Sequence, residues 1–231
     1  MSIKENIDII LEKSKKAALR SGRNPEEIII IAVSKTVDAE RAREAAENGL
    51  MNLGENRVQE LVSKFEQLSD IDVKWHLIGH LQKNKVKYII DKADLIHSVE
   101  NLELANEINK RALKLDKVVN VLVELNIGEE DSKFGLDEKS VYEFVKSMEQ
   151  YENINVLGLM TVAPFSENPE EVRWVFKKMK EIFDKISTMK LKNTEMKYLS
   201  MGMTNDFEIA IEEGANIIRI GTAIFGARKY N

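Results

Sequence analysis

Ile28-Ile29-Ile30-Ile31-Ala32-Val33 is the stretch that decides the fold. It is short, rich in β-branched residues, and apolar at every position. A strand with one wet face alternates apolar and polar residues, and this one does not. Both faces are therefore expected to be covered, as in a parallel strand flanked by helices. The residues on either side agree. Upstream, residues 2–21 carry Ile3, Ile7, Ile10, Leu11 and Ala18 at helical spacing, end at Ser21-Gly22, and restart at Asn24-Pro25.

Downstream the alternation repeats. Asp38 can cap a helix to about Asn48-Gly49. A strand at 52–55 leads into a helix through Phe65. Strands at 73–78, 93–97 and 118–125 follow, with helices over 83–90 and from a cap at Asn101 to about Leu115 between them. A loop at 127–136 precedes a helix over 137–150 and a strand at 156–160. Asn168-Pro169-Glu170-Glu171 starts a helix running to about Met189, with proline at its first position. A strand at 198–200, a helix capped by Asn205 with Glu208 three residues on, and a strand at 216–220 complete the series. About eight strand–helix units in 231 residues predict a single TIM-type (β/α)8 barrel with an additional N-terminal helix, spanning residues 1–231 as one domain. An open doubly wound sheet is the alternative.

Composition narrows the function classes. Apolar residues make up 43% and charged residues 32%, with a net charge of −5, so there is no basic excess that would demand nucleic acid. Cysteine is absent, which excludes disulfides, thiolate metal sites and a cysteine nucleophile. The N-terminus lacks a secretory signal, and no run approaches the ~18 apolar residues of a membrane span. A soluble cytoplasmic protein is expected.

Barrel chemistry collects at the C-terminal ends of the strands. The first strand ends in Ser34-Lys35-Thr36. An ammonium directly after a buried strand either snorkels from the rim or serves as an activated amine. The second ends in Gly54-Glu55-Asn56-Arg57-Val58-Gln59-Glu60, where Asn56 can cap a helix, face the mouth, or both. His76 and His80 have helical metal spacing, but a strand end separates them, so a barrel histidine suits His76 better. His97, at the end of the fourth strand, is the better rim candidate. The run Lys83-Asn84-Lys85-Val86-Lys87 reads as a solvated helix face. Leu199-Ser200-Met201-Gly202-Met203-Thr204 and Arg219-Ile220-Gly221-Thr222 follow the last two strands, where barrels commonly hold phosphate. Arg219 either points into the barrel or pairs with an acid such as Glu55 or Glu124.

Taken in order, these motifs closely resemble those of the pyridoxal 5′-phosphate (PLP) homeostasis proteins, PLP-binding barrels similar to the N-terminal domain of alanine racemase. The resemblance is carried by Ala32-Val33-Ser34-Lys35-Thr36, Gly54 to Glu60, Trp75-His76-Leu77-Ile78-Gly79-His80-Leu81-Gln82-Lys83-Asn84-Lys85 and Ser132-Lys133-Phe134-Gly135-Leu136. Gly158-Leu159-Met160-Thr161, Leu199 to Met203 and Arg219-Ile220-Gly221-Thr222-Ala223-Ile224-Phe225-Gly226 complete it. It implies that Lys35 forms the Schiff base with PLP. It also implies that Ser200, Gly202, Gly221 and Thr222 form the phosphate cup and that Arg219 faces the pyridine nitrogen. Asn56, Met160 and Met203 would lie beside the cofactor. Thr204 stands where serine is frequent in the family, with the hydroxyl kept.

An arginine cannot accept the proton that a carboxylate partner would hold on the ring nitrogen, so the electron sink is weakened. Racemases add a tyrosine base from a second domain, and this chain ends at Asn231. Tyr198 is expected deep in the barrel as packing. These points predict a non-enzymatic PLP carrier, a monomer acting in vitamin B6 homeostasis and in delivery to PLP-dependent apo-enzymes. An amino-acid racemase, or a barrel enzyme using another phosphorylated substrate, is the alternative.

Overall fold

The computed structural model describes residues 1–128 and 134–226. Eight parallel strands close into a barrel in sequence order: β1 (Ile29–Val33), β2 (Asn52–Glu55), β3 (Lys74–Leu77), β4 (Leu95–Val99), β5 (Val119–Leu125), β6 (Ile154–Thr161), β7 (Thr194–Ser200) and β8 (Ile217–Ile220). The seam is β1 against β8, with Ile29 opposite Ile217 and Ile31 opposite Arg219. The unbroken apolar run of β1 now has its explanation. Ile30 and Ala32 join the outer core beneath the helices, while Ile31 and Val33 join an inner cluster with Leu95, Leu122, Met160 and Ile217. The open doubly wound sheet is thereby excluded.

The outer layer comprises α2 (Ala39–Glu47), α3 (Val58–Gln67), α4 (Leu102–Lys114), α5 (Val141–Ser147), α6 (Arg173–Ser187) and α7 (Phe207–Glu212), with a final short α8 (Thr222–Phe225). The additional helix α1 (Ile3–Arg20) buries Ile3, Ile7 and Ile10 and packs on α2, α7 and α8. Ser2 and Glu5 close a reciprocal capping box at its start, satisfying two N–H groups that the first turn leaves without helical acceptors. Asp38 and Asn101 cap α2 and α4 as expected, accepting the Arg41 and Leu104 N–H groups at 2.8 Å.

Several boundaries differ from the sequence reading. Lys83–Tyr88 is a 3₁₀ turn, not an α-helix. Only Val86 is buried there, so the segment has no apolar face to hold an α-helix on the barrel. The cap of α3 is Arg57 rather than Asn56, and that of α7 is Asp206 rather than Asn205. Pro169–Val172 is a 3₁₀ turn ahead of α6. Strand β7 begins at Thr194, four residues early, because Glu195 and Lys197 are exposed and break the apolar run. Strand β4 runs on to Val99, with a register irregularity between Ile96 and Val99, so His97 lies within the strand rather than at its end. Ser132 and Lys133 of the Ser132 to Leu136 motif lie outside the described residues.

Among the described residues no helix is long and apolar enough to cross a membrane.

Candidate cofactor site

The chain leaves β1 at Val33 and turns sharply. Ser34 is fully buried, and its N–H donates to the Gly54 carbonyl at 3.0 Å. Lys35 and Thr36 form the turn itself. Thr36 has φ of +63°, a left-handed conformation that a β-branched residue rarely adopts. Its cost is about 1–3 kcal/mol, so the surroundings must hold it in place. They do so in part through the Thr36 N–H, which donates to Glu60 Oε2 at 2.8 Å.

Lys35 is half-buried and lines a cavity of about 730 Å³ at the C-terminal mouth of the barrel. Of the nine residues expected around a cofactor, six share this cavity: Lys35, Asn56, Met203, Arg219, Gly221 and Thr222. They come from the ends of β1, β2, β7 and β8, up to 187 positions apart in the chain. Met160, Ser200 and Gly202 are not in its lining. Met160 is fully buried in the inner cluster, packed with Val33, Ile78 and Val162, which do line the cavity. Gly202 adopts φ of +93°, and a Cβ there would come within 2.6 Å of Ala210 Cβ. Its place is thus the close approach of α7 to the barrel.

Ser200 belongs to a buried polar chain that crosses the barrel. Arg219 donates through Nη1 to Ser200 Oγ at 2.7 Å and through Nη2 to the Thr161 carbonyl at 2.8 Å. Ser200 Oγ lies 3.1 Å from His97 Nδ1, His97 Nε2 lies 3.0 Å from His76 Nδ1, and His76 Nε2 lies 3.0 Å from Asn52 Oδ1. One assignment satisfies every member. Asn52 Oδ1 can only accept, so His76 carries its proton on Nε2 and accepts on Nδ1. His97 then donates from Nε2 and accepts on Nδ1 from the Ser200 hydroxyl, which in turn accepts from Arg219. Both imidazoles are neutral in this chain. Burial agrees, pushing His76 down to about 4 and His97 well below its ordinary value.

The site's charges follow from depth. Burial lowers Arg219 to about 10, with Glu124 and Asp206 opposing that effect, so the guanidinium stays charged at neutral pH. Arg219 points into the barrel: no carboxylate lies within 4 Å of it among the described residues, so the alternative, a salt bridge to Glu55 or Glu124, does not form. Glu55 is taken by Lys64. Glu124 faces the same interior and is pushed up to about 7, first by burial and then by Glu100. Asp206 lines the cavity, is raised by burial, and accepts the Met203 N–H at 2.6 Å.

The remaining candidates separate. His76 and His80 do not share a site: His76 is inside the barrel, while His80 stands at the rim, 3.2 Å from Glu100 and stacked on Phe134 with ring centroids 3.9 Å apart. His97 is fully buried rather than at the rim, because β4 continues two residues beyond it. Tyr198 packs against the inner cluster, away from the cavity lining. The sequence reading missed one wall of the cavity, formed by the loop after β6 with Ala163, Pro164, Phe165 and Ser166, and it missed Asp206. The local signal is Phe165, an aromatic beside a proline in the loop after β6, which is left 79% exposed.

The family model of the alanine racemase N-terminal domain matches residues 6–229. At the level of fold alone, the alanine racemase of Clostridium difficile 630 is similar, with a TM-score of 0.74, 20% identity, and coverage of 98% of this chain and 58% of that one. Closer likeness is found elsewhere. The pyridoxal phosphate homeostasis protein of Aquifex aeolicus is 46% identical over 230 residues, covering 100% of both chains. The structure of PipY from Synechococcus elongatus PCC7942 with PLP bound superposes with a TM-score of 0.83 at 31% identity, covering 97% of this chain and 100% of that one. The chain belongs to the pyridoxal phosphate homeostasis protein family.

Proposed function

We propose that this protein binds PLP at the barrel mouth, holds it covalently on Lys35, and serves cytoplasmic vitamin B6 homeostasis as a monomeric carrier. The observation that carries the reading is the single cavity into which the fold gathers Lys35, Arg219, Gly221 and Thr222. Its volume of about 730 Å³ lies in the usual range for small-molecule sites. Relatives matched over their whole length are named for PLP homeostasis, and one solved relative carries PLP.

The residues present fit the group. PLP supplies an aldehyde to a bound amine and, in enzymes, an electron sink. Lys35 would hold the group through its amine, for which the aldehyde is the partner. Thr204 stands in the loop after β7, and Gly221 and Thr222 open α8 directly after β8, where barrels hold phosphate. Ser200, given to the phosphate by the family resemblance, has its hydroxyl engaged by Arg219 and His97, so we assign it to orienting the arginine. Arg219, a donor that stays charged, would leave a facing ring nitrogen unprotonated, which weakens the electron sink and disfavours carbanion chemistry. That supports storage and delivery to apo-enzymes over turnover.

The test is direct. Purified protein mixed with PLP should develop visible absorbance, and borohydride should fix the label on the peptide containing Lys35. A label absent from that peptide sinks the covalent reading. Exchange of an amino acid's α-proton with deuterated solvent at an enzymatic rate would reject the carrier in favour of a racemase-like enzyme. Transfer of PLP to an apo-enzyme in the presence of a PLP trap tests delivery.

A further inference from the structure

Helix α3 grips both peptide groups that flank Lys35. On the upstream side, the buried Lys64 ammonium donates to the Ser34 carbonyl at 2.6 Å and to Glu55 Oε1 at 2.6 Å. The Ser34 hydroxyl donates to the same Glu55 oxygen, also at 2.6 Å. On the downstream side, Glu60 Oε2 accepts the Thr36 N–H at 2.8 Å. Glu60 and Lys64 are four residues apart on α3, and their charged ends approach to 4.0 Å. Glu55 is fully buried, and Lys64 is 7% exposed. Burying two charges is costly unless they are paired and hydrogen-bonded, so a residue pair of this kind calls for a use beyond packing.

We infer that Lys64, Glu55 and Glu60 are positioning residues, which clamp the Ser34–Lys35–Thr36 turn so that the Lys35 side chain is delivered into the cavity. Three features support this. The contacts are made to the backbone and side chain of the immediate neighbours of Lys35. The turn includes Thr36 in a left-handed conformation, which an unclamped chain would relax. The clamp also accounts for the two acids of the Gly54 to Glu60 motif, which cofactor contact alone does not employ, since neither lines the cavity. This inference rests on Lys35 being the covalent anchor.

A double-mutant cycle separates positioning from general support. Lys64→Met, Lys64→Arg and Glu60→Met are prepared in the full-length protein, each alone and combined with Lys35→Ala. The readouts are PLP affinity, the fraction of label that borohydride fixes on Lys35, and the pH titration of the visible band. Lys64→Met is expected to weaken PLP binding about tenfold and to lower the fixed fraction. In the Lys35→Ala background it is expected to change affinity less than about twofold, because the lysine it positions is gone. Lys64→Arg, which keeps the charge and donors, should recover most of the loss. Equal loss in both backgrounds, or no loss in either, overturns the inference. If Lys64→Met does not fold, Glu60→Met, which removes the acceptor of the Thr36 N–H, decides: an unchanged titration of the visible band and an unchanged fixed fraction overturn it. Failure of the underlying reading is distinguishable, because the parent protein itself would then carry no label on Lys35.

Discussion

Glu124 enters the barrel from β5 with Oε2 buried and without a hydrogen-bond partner among the described residues. Its pKa is raised from 4.5 to about 7 by burial, with Glu100 adding to the effect and Arg219 opposing it. The folded state therefore holds this proton more tightly than the unfolded chain. Stability from this group is present below pH 4.5 and is lost as the pH rises through about 7. Glu124→Gln is expected to stabilise the protein by on the order of 1–3 kcal/mol at pH 8, with the gain closing near pH 4.5. Thermal melts of both proteins across that range check it, and a gain that grows on acidification would refute it. Other residues show how far a position can be read from sequence. Lys35 was legible because it directly follows the strand run. The neutrality of His76 and His97 was not, since it depends on Asn52, Ser200 and Arg219 arriving from three other strands.

At the scale of elements, the register of β6 against β7 shifts between Val156 and Gly158. Gly158 has φ of +146°, and a Cβ added there would lie 1.8 Å from the Tyr198 carbonyl oxygen of β7. Neither the backbone nor the neighbour can yield cheaply, so Gly158→Ala should cost at least ~3 kcal/mol, or prevent folding, as judged by denaturant melts. Helix caps provide a matched pair of predictions. Asn101→Ala removes an oxygen that holds the Leu104 N–H and should cost about 1 kcal/mol. Asn205→Ala should stay within about 0.5 kcal/mol, because Asp206 occupies the cap position of α7. The sequence reading treated Asn101 and Asn205 alike, since a cap is recognised locally by residue type. The difference arises where Asp206 turns back to accept the Met203 N–H. Bulges at β4 and β6 are hidden for a similar reason: strand parity read from one strand cannot reveal an extra residue relative to its partner.

For the whole molecule, a ligand that binds only the folded barrel must raise its melting temperature. PLP at about a hundred times its Kd should add ~2.7 kcal/mol, or roughly 5–10 °C for a chain of this size. A melt that does not move with added PLP would count against binding to the native state. The alternation of strands and helices, the burial of both faces of β1, and the motifs at the strand ends were determined by the sequence alone. Periodicity and chain punctuation are local properties, and the solvent exposure they demand is met in only a few folds. The membership of the cavity, the chain from Arg219 to Asn52, the wall after β6 and the clamp of α3 on the Lys35 turn were decided by tertiary structure. Each depends on groups that are distant in sequence and meet only when the barrel closes. Burial then shifts the titration of Arg219, Glu124 and the two histidines, because desolvation depends on what surrounds a group in space.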